Sequence, residues 1–226
     1  MNKLIKESIK NILTISLSPR YVGEVYDIRE FITPNTYLIK RLANDLKAPN
    51  EELHVWNLFK FVVESIKYPW RRGIPEALMI FCDLHALFRH PFKPKLSICL
   101  LDFWKFPVET LRDGVGDCED TTFLLTSLLR VCKYNAYAVL GYIEIDGIKY
   151  GHAWVLYQHP SYDWIILETT LDSLEPYRDW KGYVEVEGQV KDLYKPEIIF
   201  NEKEVNLLKS SSLERIKNIV NKVSIV

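Results

Sequence analysis

Two runs of alternating character, Ala136–Ile145 (AYAVLGYIEI) and Lys149–Gln158 (KYGHAWVLYQ), stand on either side of Asp146-Gly147. Side chains of a strand point alternately to opposite faces, and Asp-Gly accepts the positive φ angles of a tight hairpin turn. This stretch is therefore committed to a pair of antiparallel strands. A third run, residues 163–169 (DWIILET), follows a turn at His159-Pro160-Ser161 and extends the pair into a meander.

Before Tyr134 the periodicity is that of helices. Leu4, Ile5, Ile9, Ile12 and Leu13 predict a helix over residues 2–16. Leu53, Trp56, Leu58, Phe59, Val62, Val63 and Ile66 predict another over residues 51–67, with Asn50 as its N-cap and Tyr68-Pro69 as its stop. Pro75 opens a third, over residues 75–90, and Asp117 caps a fourth, Cys118 to Cys132, in which Asp120 is placed to return a bond to the cap amide. Residues 91–116, rich in proline and glycine, read as irregular. Beyond the meander the pattern predicts a strand near Tyr183–Val186, another near Ile198–Phe200 and a helix from about Glu202 to Val223. Helices followed by an antiparallel meander give an α+β fold, with helices packed on one sheet and extra helices at both ends. The expected division is an N-terminal helical extension (1–48), a core (49–175) and a C-terminal extension with a terminal helix (176–226).

The balance of 29 basic and 30 acidic residues, without a basic cluster longer than Arg71-Arg72, argues against a nucleic-acid partner. No apolar run approaches the ~20 residues of a membrane span, and the N-terminus lacks the apolar core and cleavage site of a signal peptide. A cytoplasmic location is the expectation. The four cysteines form no CxxC pair. A Cys82–Cys99 disulfide and a zinc site from Cys82, His85 and His90 are the weaker alternatives, the latter lacking a fourth ligand. No metal and no organic cofactor is called for.

A cysteine at the first position of a capped helix is an unusual placement. Free amides and the helix dipole there favour a thiolate below the ~8.5 of free cysteine, although Asp117, Glu119 and Asp120 would oppose this if they faced the sulfur. The preceding glycines, with Gly116 nearest, leave room for a substrate and for amide donors to an oxyanion. A thiol nucleophile needs a proton carrier, and the carrier needs an orienting group. His152, flanked by the small residues Gly151 and Ala153, suits the first role. Glu168 suits the second: a hairpin centred on residue 160 would make it the direct cross-strand partner of His152. Each residue also has a plainer reading, with Cys118 as a packed thiol, His152 bonded to a carbonyl, Glu168 solvated, Asp117 and Asp120 as caps, and Trp104, Trp154 and Trp164 as core.

Trp104, Pro107-Val108-Glu109-Thr110-Leu111, Gly114-Val115-Gly116-Asp117-Cys118-Glu119-Asp120, Ser127-Leu128-Leu129-Arg130, Gly151-His152-Ala153-Trp154 and Trp164…Leu167-Glu168-Thr169-Thr170 together resemble the transglutaminase-like superfamily, above all its prokaryotic cysteine-peptidase-like members. The resemblance covers roughly residues 50–171. It implies a papain-like α+β core and a triad of Cys118, His152 and Glu168, the last replacing a commoner aspartate. Trp104, Gly116, Asp117 and Trp154 are then cleft or oxyanion candidates. It implies acyl transfer at an amide of a protein or peptide substrate through a Cys118 thioester, ending in hydrolysis or transamidation. No glutamine stands shortly before Cys118 to match the oxyanion donor of papain-type enzymes. The alternative is a catalytically silent fold used as a binding or assembly module, which would meet a protein partner through its terminal helices.

Overall fold

The computed structural model describes residues 16–17, 20, 24–69 and 103–208. Strands β1 (Ser16–Leu17) and β2 (Tyr26–Asp27) pair as a short ribbon. A 3-10 turn (Ile28–Phe31) leads to helices α1 (Tyr37–Asp45) and α2 (Glu51–Ser65), then α3 (Pro107–Asp113) and α4 (Cys118–Val131). The remainder is β3 (Ala136–Ile145), β4 (Ile148–His159), β5 (Asp163–Leu167), α5 (Trp180–Val190), β6 (Tyr194–Phe200) and β7 (Val205–Leu207). The five-stranded antiparallel sheet has the order β5-β4-β3-β6-β7.

Local chemistry sets most of these boundaries. Asn50 caps α2 by accepting from the Leu53 amide at 2.8 Å, and Asp117 caps α4 by accepting from the Asp120 amide at 3.2 Å. Asp146 and Gly147, both at positive φ, close the β3–β4 hairpin as expected. The pleat then sorts the sheet's side chains between its two faces. Ala136, Val155, Tyr157, Ile165 and Leu167 pack with Leu58, Phe59 and Val62 of α2 and Leu124, Leu125 and Leu128 of α4. Tyr137, Val139, Trp154, Leu156, Trp164, Ile166 and Tyr194 form a second cluster. At 20–33 cal/mol per Å² of apolar surface removed from water, it is these buried faces that hold α4 against β4.

Several expectations are corrected. Residues 107–113 are helical: Pro107 occupies the first turn and Glu109 accepts from the Phe106 amide at 2.8 Å. Residues 183–186 are helical as well. Asp179 caps α5 through the Gly182 amide at 3.0 Å, and burial falls on Trp180, Tyr183 and Glu187, a helical spacing that the Val-Glu alternation had disguised. Asp120 does not return a bond to its cap, because its carboxylate accepts instead from the Lys105 amide at 2.7 Å. Glu202–Leu208 contain β7 rather than the start of a helix, and β6 lies beside β3 in mid-sheet. The segment expected as an appendage therefore completes the sheet. Ser16–Leu17 belong to β1. The remainder of the N-terminal helix, the helix over 75–90 and the terminal helix after residue 208 fall outside the described residues, as do Cys82, His85, His90 and Cys99.

Gly141 explains how β6 gets so close. A β-carbon there would sit 2.2 Å from the Lys195 carbonyl oxygen, and the β3–β6 register shifts between Leu140 and Gly141. Past this bulge Tyr194 pairs with Ile143 of β3, and its ring reaches across β3 to within 6.2 Å of that of His152, which pairs with Gly141. No helix among the described residues is long and apolar enough to cross a membrane.

Candidate active site

Three elements meet at the site. The first is the start of α4, which carries Cys118. The sulfur is almost wholly buried and receives a hydrogen bond from the Ala153 backbone amide on β4, the residue directly after His152. Cys118 Sγ donates to Glu119 Oε2 at 2.8 Å. Burial pushes its pKa up, and the negative charges of Glu119 and Asp117 push it further. A pKa lowered by the helix dipole was the expectation; here it is raised, which favours the neutral thiol. Desolvation and two carboxylates outweigh the dipole, whose effect at a helix end is typically 0.3–1 kcal/mol.

The second element is β4. His152 Nε2 lies 2.7 Å from Glu168 Oε2, and its ring is near-parallel to that of Trp154, with centroids 6.2 Å apart at 25°. The direct cross-strand pairing expected of these two residues is corrected. The ladder matches Val155 with Leu167 and His159 with Asp163, so three residues, Pro160-Ser161-Tyr162, form the turn. One step further along this register sets Trp154 opposite Glu168 and makes His152 the diagonal neighbour, still on the same face and within reach of a long side chain.

The third element is the chain leaving β5. Glu168 Oε1 accepts from the Thr170 amide at 2.9 Å and the Thr170 hydroxyl at 2.6 Å, while Oε2 also accepts from the Tyr194 hydroxyl at 2.8 Å. Tyr183 from α5 accepts from the Glu168 amide at 2.9 Å and donates to the Ile166 carbonyl at 2.9 Å, fixing the backbone at the carboxylate. Burial opposes the charge on both partners, but their mutual hydrogen bond and attraction prevail. The His152 pKa is raised and that of Glu168 lowered, with the Thr170 bonds helping the latter. The charge of Glu119 also raises His152, so this carboxylate acts on thiol and imidazole alike.

The four secondary candidates separate. Trp154 is fully buried under the His152 ring. Asp117 is the cap of α4, and its charge is felt at the sulfur. Gly116 donates its amide to the Lys67 carbonyl at 3.2 Å, so that amide is not available to an oxyanion. Its missing side chain serves packing, since a β-carbon would stand 2.8 Å from that of Asp120. Trp104 is core, edge-on to Phe31 and Phe123.

The transglutaminase-like superfamily core matches residues 102–169, a segment that runs from just before Trp104 to just past Glu168. These residues belong to the transglutaminase-like superfamily. Two solved structures are similar to the chain. A protein described as a cysteine protease candidate from Cytophaga hutchinsonii shares 16% identity at a TM-score of 0.40, with 82% of this chain and 55% of that chain covered. LapG of Legionella pneumophila, in an EGTA-treated form, shares 20% identity at a TM-score of 0.35, with 82% of this chain and 95% of that one covered. The chain thus spans about half the length of the Cytophaga protein. No curated protein matches it.

Around this transglutaminase-like core the structure adds residues that sequence reasoning missed. Tyr194 and Tyr183 come from the C-terminal segment, and their bonds to Glu168 have no signal in sequence spacing. Tyr68, just after α2, places its hydroxyl on the Cys118 sulfur. Thr170 lay within the quoted pattern, where the Glu-x-Thr spacing of an acidic side chain bonding two residues onward was legible.

The pair also predicts a pH profile. Below its raised pKa His152 is imidazolium and could not take a proton, so any reaction that uses it as a base should speed up as pH climbs through that value. Glu168→Gln removes the charge that raises it. The acid limb of kcat/KM should then move to lower pH while the plateau falls by ~10²-fold or more, the range of one catalytic proton-transfer contribution. A limb that stays in place would show that Glu168 does not set the imidazole's protonation.

Proposed function

We propose that this chain is a cysteine acyl-transfer enzyme acting on amide carbonyls of a protein or peptide substrate. The observation that supports this best is the linkage of the Cys118 sulfur to the Ala153 amide beside a His152–Glu168 pair held by Tyr194 and Thr170. With Nε2 engaged by Glu168, His152 has Nδ1 to offer the thiol. Cys118 Sγ attacks the carbonyl carbon, its proton passes to Nδ1, and the carbonyl π pair moves onto oxygen. Collapse of this adduct restores the C=O bond and breaks the C–N bond. The leaving amine takes the proton from His152, and Cys118 remains as a thioester. Water, deprotonated by His152, then releases the acid, whereas an amine in its place forms a new amide. Because the resting thiol is neutral, His152 acts as a true general base and not as half of a preformed ion pair.

The test uses p-nitrophenyl acetate. The expected result is a burst of nitrophenolate of about one per chain, with the acetyl group on Cys118, followed by steady turnover and no burst in Cys118→Ala. Added primary amine would divert the acyl group to an amide if transamidation is the natural outcome. Acetylation of Cys118 no faster than that of the half-buried Cys132 would sink this reading. It would favour a silent fold that works through its surface, a reading to which the grip of Glu119 on the thiol lends some support.

A further inference from the structure

The mechanism above leaves one requirement unmet, a donor for the oxyanion. The Gly116 amide is spent on Lys67, the Asp120 amide on the Asp117 carboxylate and the Thr121 amide on the Asp117 carbonyl. At the first helical position the Cys118 amide has no partner within the helix, which supplies one donor. We propose that the hydroxyl of Tyr68 is the second, a catalytic hydrogen-bond donor to the oxyanion formed on Cys118; this rests on the acyl-transfer reading.

The geometry carries this assignment. Tyr68 lies 50 residues before the nucleophile, yet its backbone is tied to the loop that precedes it. Lys67 and Val115 form a parallel bridge in which the Lys67 amide donates to the Gly114 carbonyl at 3.0 Å and the Gly116 amide donates to the Lys67 carbonyl at 3.2 Å. This bridge delivers the next residue, Tyr68, to the sulfur, where its hydroxyl makes a hydrogen bond. The resting thiol can satisfy every neighbour at once: it donates to Glu119 and accepts from Tyr68 and Ala153. When the sulfur bonds a carbonyl carbon, its lone pairs are partly spent and negative charge appears on an oxygen two bonds away. A hydroxyl already in contact with the sulfur needs only a small swing to reach that oxygen. Burial, with the charges of Asp117 and Glu119 nearby, pushes the Tyr68 pKa upward, so the group remains a donor throughout the working pH range. No proton leaves it; the covalent bookkeeping is that of the step above.

Two reagents separate this role from its alternatives. Acylation by p-nitrophenyl acetate passes through an oxyanion, whereas alkylation by iodoacetamide is a displacement at saturated carbon and does not. In Tyr68→Phe, which keeps the ring and its packing, acylation of Cys118 should fall by ~10²-fold, the lower end for loss of one oxyanion donor, while alkylation changes by less than about threefold. Acylation left within threefold of wild type would overturn the assignment while leaving the cysteine chemistry intact. A parallel fall in both rates would also overturn it, showing that Tyr68 acts on the thiol and not on the adduct. If wild-type Cys118 acylates no faster than Cys132, the acyl-transfer reading itself fails, and the role of Tyr68 fails with it.

Discussion

His152→Ala is expected to slow acylation of Cys118 by about four orders of magnitude or more, on the scale seen when the base of a nucleophile–base unit is removed. The size follows from the state of the thiol. In an enzyme that rests as a thiolate–imidazolium pair the nucleophile survives loss of its partner in part, because other positive potential can hold the thiolate. Here burial, Glu119 and Asp117 all push the Cys118 pKa up, so without a base the sulfur keeps its proton at any neutral pH. In the proposed mechanism His152 removes it: the adjacent Ala153 amide touches the sulfur, and the ring is held against Trp154 and by Glu168. The melting point should fall as well, because Glu168 keeps its bonds from Thr170 and Tyr194 but loses its charged partner, so the rate is read well below the transition. Burst kinetics with p-nitrophenyl acetate, paired with a melting curve, makes the measurement. A variant that keeps a tenth of the wild-type rate would refute the assigned role.

What the sequence disclosed was local. The β3–β4 hairpin needed only alternation and Asp146-Gly147, and α2 and α4 needed only their caps and apolar stripes. Even the proximity of His152 to Glu168 was readable, although the register was off by two because turn length cannot be deduced from strand patterns alone. The errors share another cause, which is contact between distant segments. The alternation Val184-Glu185-Val186-Glu187 reads as a strand until Trp180 and Tyr183 are seen packing on Trp56 and Phe59 of α2. β6 joins mid-sheet because Gly141 lets its backbone approach, a fit visible only with both strands in place. Tyr68 and Tyr194 arrive at the site through the Lys67–Val115 bridge and the β3 bulge respectively, neither of which leaves a periodic trace. Cys118 was legible as a nucleophile candidate, but its protonation state was not. Whether Glu119 faces the sulfur is a question of rotamer, and the expectation of a lowered pKa reversed once it did.

The second large effect concerns the floor beneath the nucleophile. Asp120, in the first turn of α4, is almost completely buried; it accepts from the Lys105 amide at 2.7 Å and lies 3.8 Å from the Lys105 ammonium. That ammonium is itself buried, donates to the Val115 carbonyl at 3.0 Å and stands 3.9 Å from Asp113. Burial raises the Asp120 pKa and repulsion from Asp117 adds to this, while Lys105 pulls the other way. Asp120→Ala strands both the Lys105 amide and much of the ammonium's compensation, although the β-carbon that packs beside Gly116 remains. Breaking a buried pair on one side is worth 3–5 kcal/mol, so the variant should melt on the order of 10 °C lower in a chain of this size. Asp120→Asn, which keeps an acceptor for the Lys105 amide but not the charge, should recover part of the loss and so divide hydrogen bond from ion pair. Because Lys105 also holds the Val115 carbonyl, the damage should spread along the loop to the Lys67–Val115 bridge, and from there to Tyr68. Below its melting temperature, therefore, Asp120→Ala should also lose acylation relative to alkylation, as Tyr68→Phe does. A melting point within about 2 °C of wild type, or an unchanged ratio of the two rates, would mean that this floor does not hold the site together.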